Sequence, residues 1–283
     1  MTLHYPRILS IAGSDSGGGA GIQADLKTCS ALGCYGMTAI TAITAQNTLG
    51  VVGIHAIPSE MLRQQIDAVV SDIGVDAVKI GILHDPEVVH IVAQAIRQYR
   101  FKHIVLDPVM VATSGDALIA RETIAVLVEE LFPLVSVITP NLDEASLLLA
   151  RPIQYVHELN AATQDLHTLG APAVLLKGGH LAEQNEGAQV TDVLLYPQDG
   201  EMHAQTYTSP RIISRNTHGT GCTLSSAIAC YLALGASLPD AVAQARVYIV
   251  QAIEQGKNVQ TGQGHGPLNH GFAPVVMRKI TEN

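Results

Sequence analysis

Short apolar runs alternate along the chain with longer amphipathic segments. The apolar runs are rich in Val, Ile and Leu and occupy residues 7–12, 77–81, 103–107, 135–138 and 173–177. Amphipathic segments of helical length follow at 21–32, 86–99, 121–132 and 142–149. Such apolar runs are typical of strands that are buried on both faces of a sheet. Because strands that alternate with helices build parallel sheets, the pattern predicts an α/β fold with a mainly parallel sheet and helices on both faces.

Two pairs of strand-like runs break this alternation. Residues 36–45 are followed directly by a second run at 51–57, and 191–197 is joined to 202–208 through the turn pair Asp199-Gly200. Both pairs are predicted to be antiparallel additions or edge hairpins. The chain has no recognisable linker, low-complexity segment or internal repeat, so we expect one domain over residues 1–283.

The composition argues against several classes of protein. A net charge of −9 without clustered Lys and Arg is unsuited to nucleic-acid binding, and an aromatic content of 4% without Trp is unsuited to base stacking. Two segments without charged side chains, 28–59 and 216–239, are interrupted by small and polar residues before either is long enough to span a membrane. Four cysteines without a Cys-x-x-Cys pair indicate reduced thiols, so we expect a cytoplasmic protein.

A glycine-containing run at 216–223, Asn-Thr-His-Gly-Thr-Gly-Cys-Thr, leads into a long apolar helix. Glycines at the start of a helix let backbone N–H groups approach an anion, and the helix dipole favours negative charge there. Such an array would stabilise a phosphoryl group during transfer. The run is not a P-loop, and its alternative interpretation is a turn that permits tight packing of the helix on the sheet.

Cys222 lies at the start of that helix, where the dipole and the N–H groups are expected to lower the pKa of a thiol. A base is needed at this position if a substrate hydroxyl attacks the γ-phosphate of ATP. The alternative is that Cys222 is a small buried apolar residue, as most unpaired cysteines are.

A second glycine-rich segment, 13–25, follows the first strand and ends at Asp25 on the first turn of the next helix. Its glycines indicate a close approach of the backbone to another group, although a flexible turn explains them as well. Gln46 closes the first uncharged segment, and its amide is suited to reading the edge of a substrate ring by paired hydrogen bonds. Turn formation by Asn47 and Thr48 is the alternative there.

Acidic groups follow two of the predicted strands. Asp107 ends one strand, and Glu144 follows the other within 139–144, so the two carboxylates are candidates for holding Mg²⁺ beside nucleotide phosphates. The spacing of Asn141 and Glu144 equally fits a helix capping box. Lys177 ends a third strand and suits a triphosphate contact, or else is a solvated charge. The histidines of 264–270 do not have a metal-binding spacing.

Together these segments closely resemble the hydroxymethylpyrimidine and phosphomethylpyrimidine kinases of thiamine biosynthesis, in the ribokinase-like superfamily. The resemblance covers nearly the whole chain, in the order GSDSGGGAGIQADLKT, ITAQNT, VKIGIL, LDPVMVATSGD, ITPNLDEA, LLKGGH, NTHGTGCT and GHGPLNH. Gln46 and Cys222 mark the pyrimidine branch, since sugar kinases and most vitamin B6 kinases of the superfamily carry Asp in place of this cysteine. Ser16 is a departure, because proline is common at this position.

The resemblance implies a three-layer α/β/α sandwich with a few antiparallel edge strands, Mg²⁺-ATP as phosphoryl donor, and two successive phosphorylations of 4-amino-5-hydroxymethyl-2-methylpyrimidine. It implies that the substrate is bound by Asp25, Gln46, Thr44, Ile82 and Gly13. It assigns catalysis to Cys222, Gly219, Gly221 and Lys177, ATP contacts to Lys177, Asn141, Thr217 and Gly219, and Mg²⁺ to Asp107 and Glu144. The family also suggests a homodimer. A pyridoxal or pyridoxine kinase, or a non-catalytic ligand sensor that keeps the fold, are the alternatives.

Overall fold

The computed structural model describes residues 3–110, 119–179 and 188–281. Its strands are β1 Leu3–His4, β2 Arg7–Ala12, β3 Tyr35–Ile40, β4 Ala42–Asn47, β5 Gly50–Ala56, β6 Ala77–Ile80, β7 Ile104–Leu106, β8 Val137–Ile138, β9 Val174–Lys177, β10 Gln189–Gln198, β11 Glu201–Pro210 and β12 Ile280–Thr281. Its α-helices are α1 Gly21–Ala31, α2 Ser59–Asp72, α3 Pro86–Tyr99, α4 Arg121–Glu130, α5 Leu142–Leu149, α6 Leu159–His167, α7 Thr220–Ala233 and α8 Leu238–Gly256. Short 3₁₀ turns lie at Phe132–Leu134 and Val156–Glu158.

Across the described ranges, the central sheet has eight strands in the order β11-β10-β9-β8-β7-β6-β2-β3. Within this sheet, β3, β2, β6, β7, β8 and β9 are parallel to one another. In contrast, β10 pairs antiparallel with β9 and forms a hairpin with β11 at the edge. The predicted parallel sheet and the predicted edge hairpin at 191–208 are therefore confirmed. Separately, β4 pairs with β5, and β1 pairs with β12.

Successive residues of a strand point to opposite sides of the sheet, and here both sets are apolar. Helices therefore cover both faces of the sheet. On one face, Ile104 and Leu106 of β7 belong to a core shared with α2, α3, α4, α5 and α6. On the other face, Val105 belongs to a core shared with α1, α7 and α8. This arrangement is the expected three-layer α/β/α sandwich. None of the described helices is both long and apolar enough to cross a membrane.

One predicted strand pair is wrong in part. The run at 36–45 is two strands, and only its second half joins the hairpin with β5. Its first half, β3, is a parallel strand at the edge of the main sheet. The chain turns at Thr41, whose hydroxyl donates to the carbonyl of Ile82 over 3.0 Å. A single apolar run does not reveal such a turn, since the residue that Thr41 contacts there lies 41 positions away in the sequence.

The carboxyl ends of β2, β6, β7, β8 and β9 lie at one edge of the sheet, where ligands bind in open α/β folds. The polar segments singled out from the sequence follow these same strand ends. The N-terminus of α7 and the β4–β5 hairpin complete this edge.

Candidate active site

Asp15 organises the glycine-rich loop after β2. Its carboxylate accepts hydrogen bonds from the backbone N–H groups of Gly17, Gly19 and Ala20, at 2.8, 3.0 and 2.8 Å. His218, from the segment before α7, brings Nε2 to 2.9 Å from Asp15 Oδ2. Burial alone would raise the pKa of Asp15, but His218 and the backbone N–H groups lower it to about 2. The carboxylate is thus ionised at neutral pH and joins the loop to the start of α7.

The start of α7 packs directly on this loop. Gly219 is the N-cap residue, with a left-handed φ of 86°, and a Cβ atom there would lie 1.9 Å from the carbonyl oxygen of Gly19. Only glycine fits both the conformation and the contact. A Cβ atom at Gly221 would lie 3.1 Å from Asp107 Oδ2 and 3.4 Å from Lys177 Nζ. The first-turn N–H groups of α7 are therefore next to a carboxylate and an ammonium group.

Asp107 and Lys177 form an ion pair, with 2.9 Å between Lys177 Nζ and Asp107 Oδ1. Thr139 supports the same carboxylate oxygen from 3.1 Å. Burial alone would lower the pKa of Lys177, but Asp107 and Glu144 outweigh it and raise this pKa. The structure thus brings together Gly219, Gly221, Lys177 and Asp107, four of the residues to which the resemblance assigns catalysis or metal binding.

Glu144 has the position that the capping box predicted for its sequence segment requires, whereas its role in holding Mg²⁺ stays a prediction. The Asn141 side chain accepts from the N–H of Glu144 over 2.9 Å, and Glu144 Oε2 accepts from the N–H of Asn141 over 2.7 Å, which completes the capping box of α5. Burial raises the pKa of Glu144 to about 7, with Lys177 lowering it and Asp107 raising it further. Glu144 therefore caps the helix, and its pKa responds to both charges of the Asp107–Lys177 ion pair. The backbone of Asn141 forms a parallel β-bridge with that of Lys177.

The expected lowering of the Cys222 pKa is wrong. Burial raises the pKa of this thiol to about 11; Lys79 opposes the shift, and the charges of Asp25 and Asp107 add to it. The N–H of Gly21 lowers the pKa by a smaller amount. Burial among carboxylates outweighs the favourable end of the helix, so the thiol is neutral near pH 7.

Asp25 lies beneath Cys222 in a buried network of polar side chains. Its Oδ2 accepts from Ser10 Oγ over 2.5 Å and from Lys79 Nζ over 2.9 Å, and its Oδ1 accepts from Ser226 Oγ over 2.7 Å. Ser226 is one turn after Cys222 on α7, so the two share a helix face. Asp25 is closed off from solvent. A direct contact with the substrate, as the resemblance implies, stays a prediction.

Lys79 is a site residue that the sequence reasoning missed. Its signal was a single lysine within the apolar strand β6, where the charge is buried. Burial alone would lower the pKa of Lys79, but Asp25, Cys222 and Asp107 raise it. His218 was missed as well, although it lies inside the segment 216–223 that was singled out.

The β4–β5 hairpin brings Gln46 to the site. Ser16 Oγ donates to the carbonyl of Gln46 and accepts from its N–H, both over 2.7 Å, so the residue that departs from the family pattern fastens the hairpin to the glycine-rich loop. The Gln46 amide has its Oε1 3.2 Å from Thr44 Oγ1 and its Nε2 3.3 Å from His218 Nε2. Gly13 and Ile82 lie next to each other, since a Cβ atom on Gly13 would lie 3.2 Å from Ile82 Cγ2.

The histidine-containing tail braces this arrangement. Gly264 and His265 donate backbone N–H bonds to Thr48 at the tip of the hairpin, over 3.2 and 3.0 Å, and His218 donates its N–H to Gly266 over 3.1 Å. His270 Nε2 lies 2.9 Å from Thr223 Oγ1 on α7. No group of three or more potential metal ligands occurs among the described residues, the tail included. Thr217, a predicted ATP contact, accepts from Thr220 at the start of α7.

Comparison with known proteins settles the family. The sequence model of the family described as phosphomethylpyrimidine kinase matches residues 15–269. The chain belongs to the phosphomethylpyrimidine kinase family. It is 50% identical to the hydroxymethylpyrimidine/phosphomethylpyrimidine kinase of Rhizobium meliloti, with 93% of this chain and 96% of that protein covered. It is also 50% identical to a thiamine biosynthesis bifunctional protein of Geobacter sulfurreducens. That match includes 97% of this chain but only 54% of the longer protein.

Solved structures of related kinases have the same fold. The phosphomethylpyrimidine kinase of Clostridium difficile is 41% identical and superposes with a TM-score of 0.76, covering 88% of this chain and 99% of that one. The pyridoxal kinase of Bacillus subtilis, solved as an ADP complex, is 38% identical with a TM-score of 0.85 and coverages of 94% and 98%. The fold is thus that of the ribokinase-like vitamin kinases, as the sequence predicted.

Proposed function

We propose that this chain transfers the γ-phosphoryl group of ATP to the hydroxymethyl group of 4-amino-5-hydroxymethyl-2-methylpyrimidine, and then transfers a second one to the resulting monophosphate. One observation carries the proposal beyond family membership. The glycine-rich start of α7 adjoins the Asp107–Lys177 pair on one side, and His218, three residues before Gly221, meets the ring-reading amide of Gln46 on the other. Groups suited to a phosphate and to a heterocycle therefore meet at one helix end.

Each group has a defined part in this proposal. The first-turn N–H groups of α7 lack intrahelical acceptors, so they stabilise the charge that develops on the transferred phosphoryl group. Lys177, held by Asp107, supplies a compact cation for the ATP phosphates. Cys222 is a neutral thiol near pH 7, so it positions the attacking hydroxyl rather than deprotonating it. Gln46 reads the edge of the pyrimidine ring.

Asp107 and Glu144 are the residues that would hold Mg²⁺. They are two buried oxygen donors, and Asp107 is close enough to help raise the pKa of Glu144, yet they are not part of a larger ligand cluster in the described segments. This donor set fits Mg²⁺, which is typically held by one or two carboxylates together with waters and substrate phosphates. The ion would neutralise phosphate charge during the transfer.

Two finer features belong to the same proposal. The hairpin exposes Val52 and Ile54, at 81% and 60%, which suits a contact between two copies of the chain. We therefore propose a homodimer. We also propose the cytoplasm as its location, on the grounds of its unpaired cysteines and of relatives that are metabolic kinases.

The proposal is tested by product analysis. The purified protein is incubated with ATP, Mg²⁺ and the pyrimidine alcohol, and the products are separated by anion exchange. Successive appearance of the monophosphate and diphosphate is expected. Monophosphate that is never converted further would contradict the second transfer, while phosphorylation of pyridoxal alone would favour the second candidate, a vitamin B6 kinase, which the likeness to the Bacillus subtilis enzyme supports.

A further inference from the structure

The side chain of Gln46 lies between two groups that can each satisfy only one kind of amide atom. An amide offers an acceptor oxygen and a donor nitrogen of nearly the same size, so a half-turn about its terminal bond exchanges them without changing its shape. Which atom faces which neighbour therefore follows from the protons that the neighbours carry. The neighbours are His218, whose Nε2 atom carries a proton, and Thr44, whose hydroxyl proton is donated to another acceptor.

His218 is committed by Asp15. The Asp15 carboxylate is ionised, accepts three backbone N–H groups of the glycine-rich loop, and can only accept from His218 as well. The Nε2 atom of His218, 2.9 Å away, must therefore carry a proton, whatever the state of the other ring nitrogen. An amide NH₂ group placed 3.3 Å from this N–H would set two donors against each other.

Thr44 is committed by Ser14. A hydroxyl has one proton, and that of Thr44 is donated to the carbonyl of Ser14 over 2.8 Å. Toward Gln46, 3.2 Å away, Thr44 Oγ1 can then only accept, so it requires the amide nitrogen. The two neighbours are independent of each other, and both require the same orientation of the amide.

We infer that His218 and Thr44 together fix the Gln46 amide with its oxygen toward His218 and its nitrogen toward Thr44, and thereby determine which heterocycle edge the site accepts. This inference rests on the proposed function. The fixed amide presents an acceptor and a donor in one order, which complements a ring edge with an amino donor beside a ring-nitrogen acceptor. A 4-oxo pyrimidine, with C=O and ring N–H, presents the reverse order and requires the amide to turn against both neighbours.

The experiment compares 4-amino-5-hydroxymethyl-2-methylpyrimidine with its 4-oxo analogue. For the wild type and each variant, kcat/KM is measured for both compounds, and Kd is measured calorimetrically without ATP, which requires no turnover. In His218→Ala the amide is free to turn, and the amino/oxo preference is expected to fall about tenfold or more, while the KM for ATP changes little. Thr44→Val is expected to act in the same direction, and His218→Gln, which restores an N–H donor, to recover part of the preference.

His203→Ala is the control, since this histidine is exposed on β11. Unfolding midpoints verify that each variant is folded. An unchanged amino/oxo ratio in His218→Ala, or a loss of both affinities to the same extent, overturns the inference while the proposed function stands. A wild type that does not phosphorylate the aminopyrimidine contradicts the proposed function and the inference with it.

Discussion

Lys79 and Asp25 form an ion pair in the interior of the protein, with 2.9 Å between Nζ and Oδ2 and side-chain exposures of 0% and 1%. The pair joins β6 to α1, and through Ser226 it reaches the helix that carries Cys222. A buried ion pair of this kind contributes little net stability, but removal of one partner leaves an uncompensated charge. Through Ser226, the pair therefore connects the second turn of α7, directly after the turn that carries Cys222, to α1 and β6.

Lys79→Met is therefore expected to lower the free energy of unfolding by about 3–5 kcal/mol, because it leaves the Asp25 carboxylate buried without its counter-charge. The double variant Lys79→Met/Asp25→Asn removes both charges and is expected to recover most of this loss. Urea unfolding of the three proteins measures the effect. A double variant no more stable than the single one would show that the charge of Asp25 is not the cause.

Cys222→Ser is expected to keep kcat within about tenfold of the wild type, whereas Cys222→Ala is expected to lose about 10²-fold, at the low end for a positioned group. A neutral thiol and a hydroxyl can both contact the attacking alcohol, and a methyl group cannot. Steady-state kinetics with saturating ATP measure the difference.

The pH profile separates positioning from base catalysis at Cys222. With a thiol pKa of about 11, the thiolate fraction rises about tenfold per pH unit between pH 6 and pH 9. If the thiolate were the base, log kcat would rise with a slope near one across this window. We expect instead that log kcat does not rise in this way, while the rate at which iodoacetamide alkylates Cys222 increases steadily up to pH 10.

Glu144→Gln is expected to change how stability depends on pH. The pKa of Glu144 is raised from 4.5 to about 7, so between these values the folded state holds a proton that the unfolded chain has released. Stability contributed at low pH is therefore lost from the wild type as pH rises through this window. The variant keeps the capping acceptor, so its free energy of unfolding relative to the wild type should increase by about 1–3 kcal/mol across the window. Its requirement for Mg²⁺ should increase as well.

Glu158→Gln provides the matched control for Glu144. Backbone N–H bonds from Gln154 and Tyr155 lower the pKa of this surface carboxylate, so its stabilising contribution is present at neutral pH and lost on acidification. The two variants should therefore diverge from the wild type in opposite directions as pH rises. Parallel curves for Glu144→Gln and the wild type would be incompatible with a raised pKa.

Val52→Lys is expected to weaken association of the proposed homodimer, since it places a charge on the exposed hairpin. Val276→Lys, at an equally exposed position outside the hairpin, is the control. Light scattering over a range of concentrations gives the oligomeric state. A mass that is the same for both variants and the wild type would place the dimer contact elsewhere or exclude the dimer.

The sequence predicted the layers of this fold because the central strands are short, apolar and buried on both faces, which their composition alone reveals. It did not predict the division of residues 36–45 at Thr41, where the contact made is a hydrogen bond to Ile82, a residue distant in the sequence. Lys79 was missed for the same reason, because its partner Asp25 is 54 residues away. The direction of the Cys222 pKa shift was wrong because helix position is local, whereas burial and the nearby carboxylates depend on the assembled structure.

Ser16 shows how a departure from a family pattern can be accommodated. Its hydroxyl satisfies both backbone groups of Gln46, which lies on the hairpin. A proline at this position has no hydroxyl to do so. In this chain the glycine-rich loop and Gln46 are therefore joined by hydrogen bonds of a side chain that belongs to the loop.

The tail that braces the hairpin also has a consequence for the order of folding. Gly264 reaches back across 216 residues to Thr48, and the same segment fastens His218 at the start of α7. During synthesis from the N-terminus, β2 and the glycine-rich loop emerge early, but the contacts of Thr48 and His218 with the tail cannot form before residues near 265 are made. Because such distant contacts form late and slowly, we expect a nascent chain to acquire its sheet before it acquires a ligand-competent pocket.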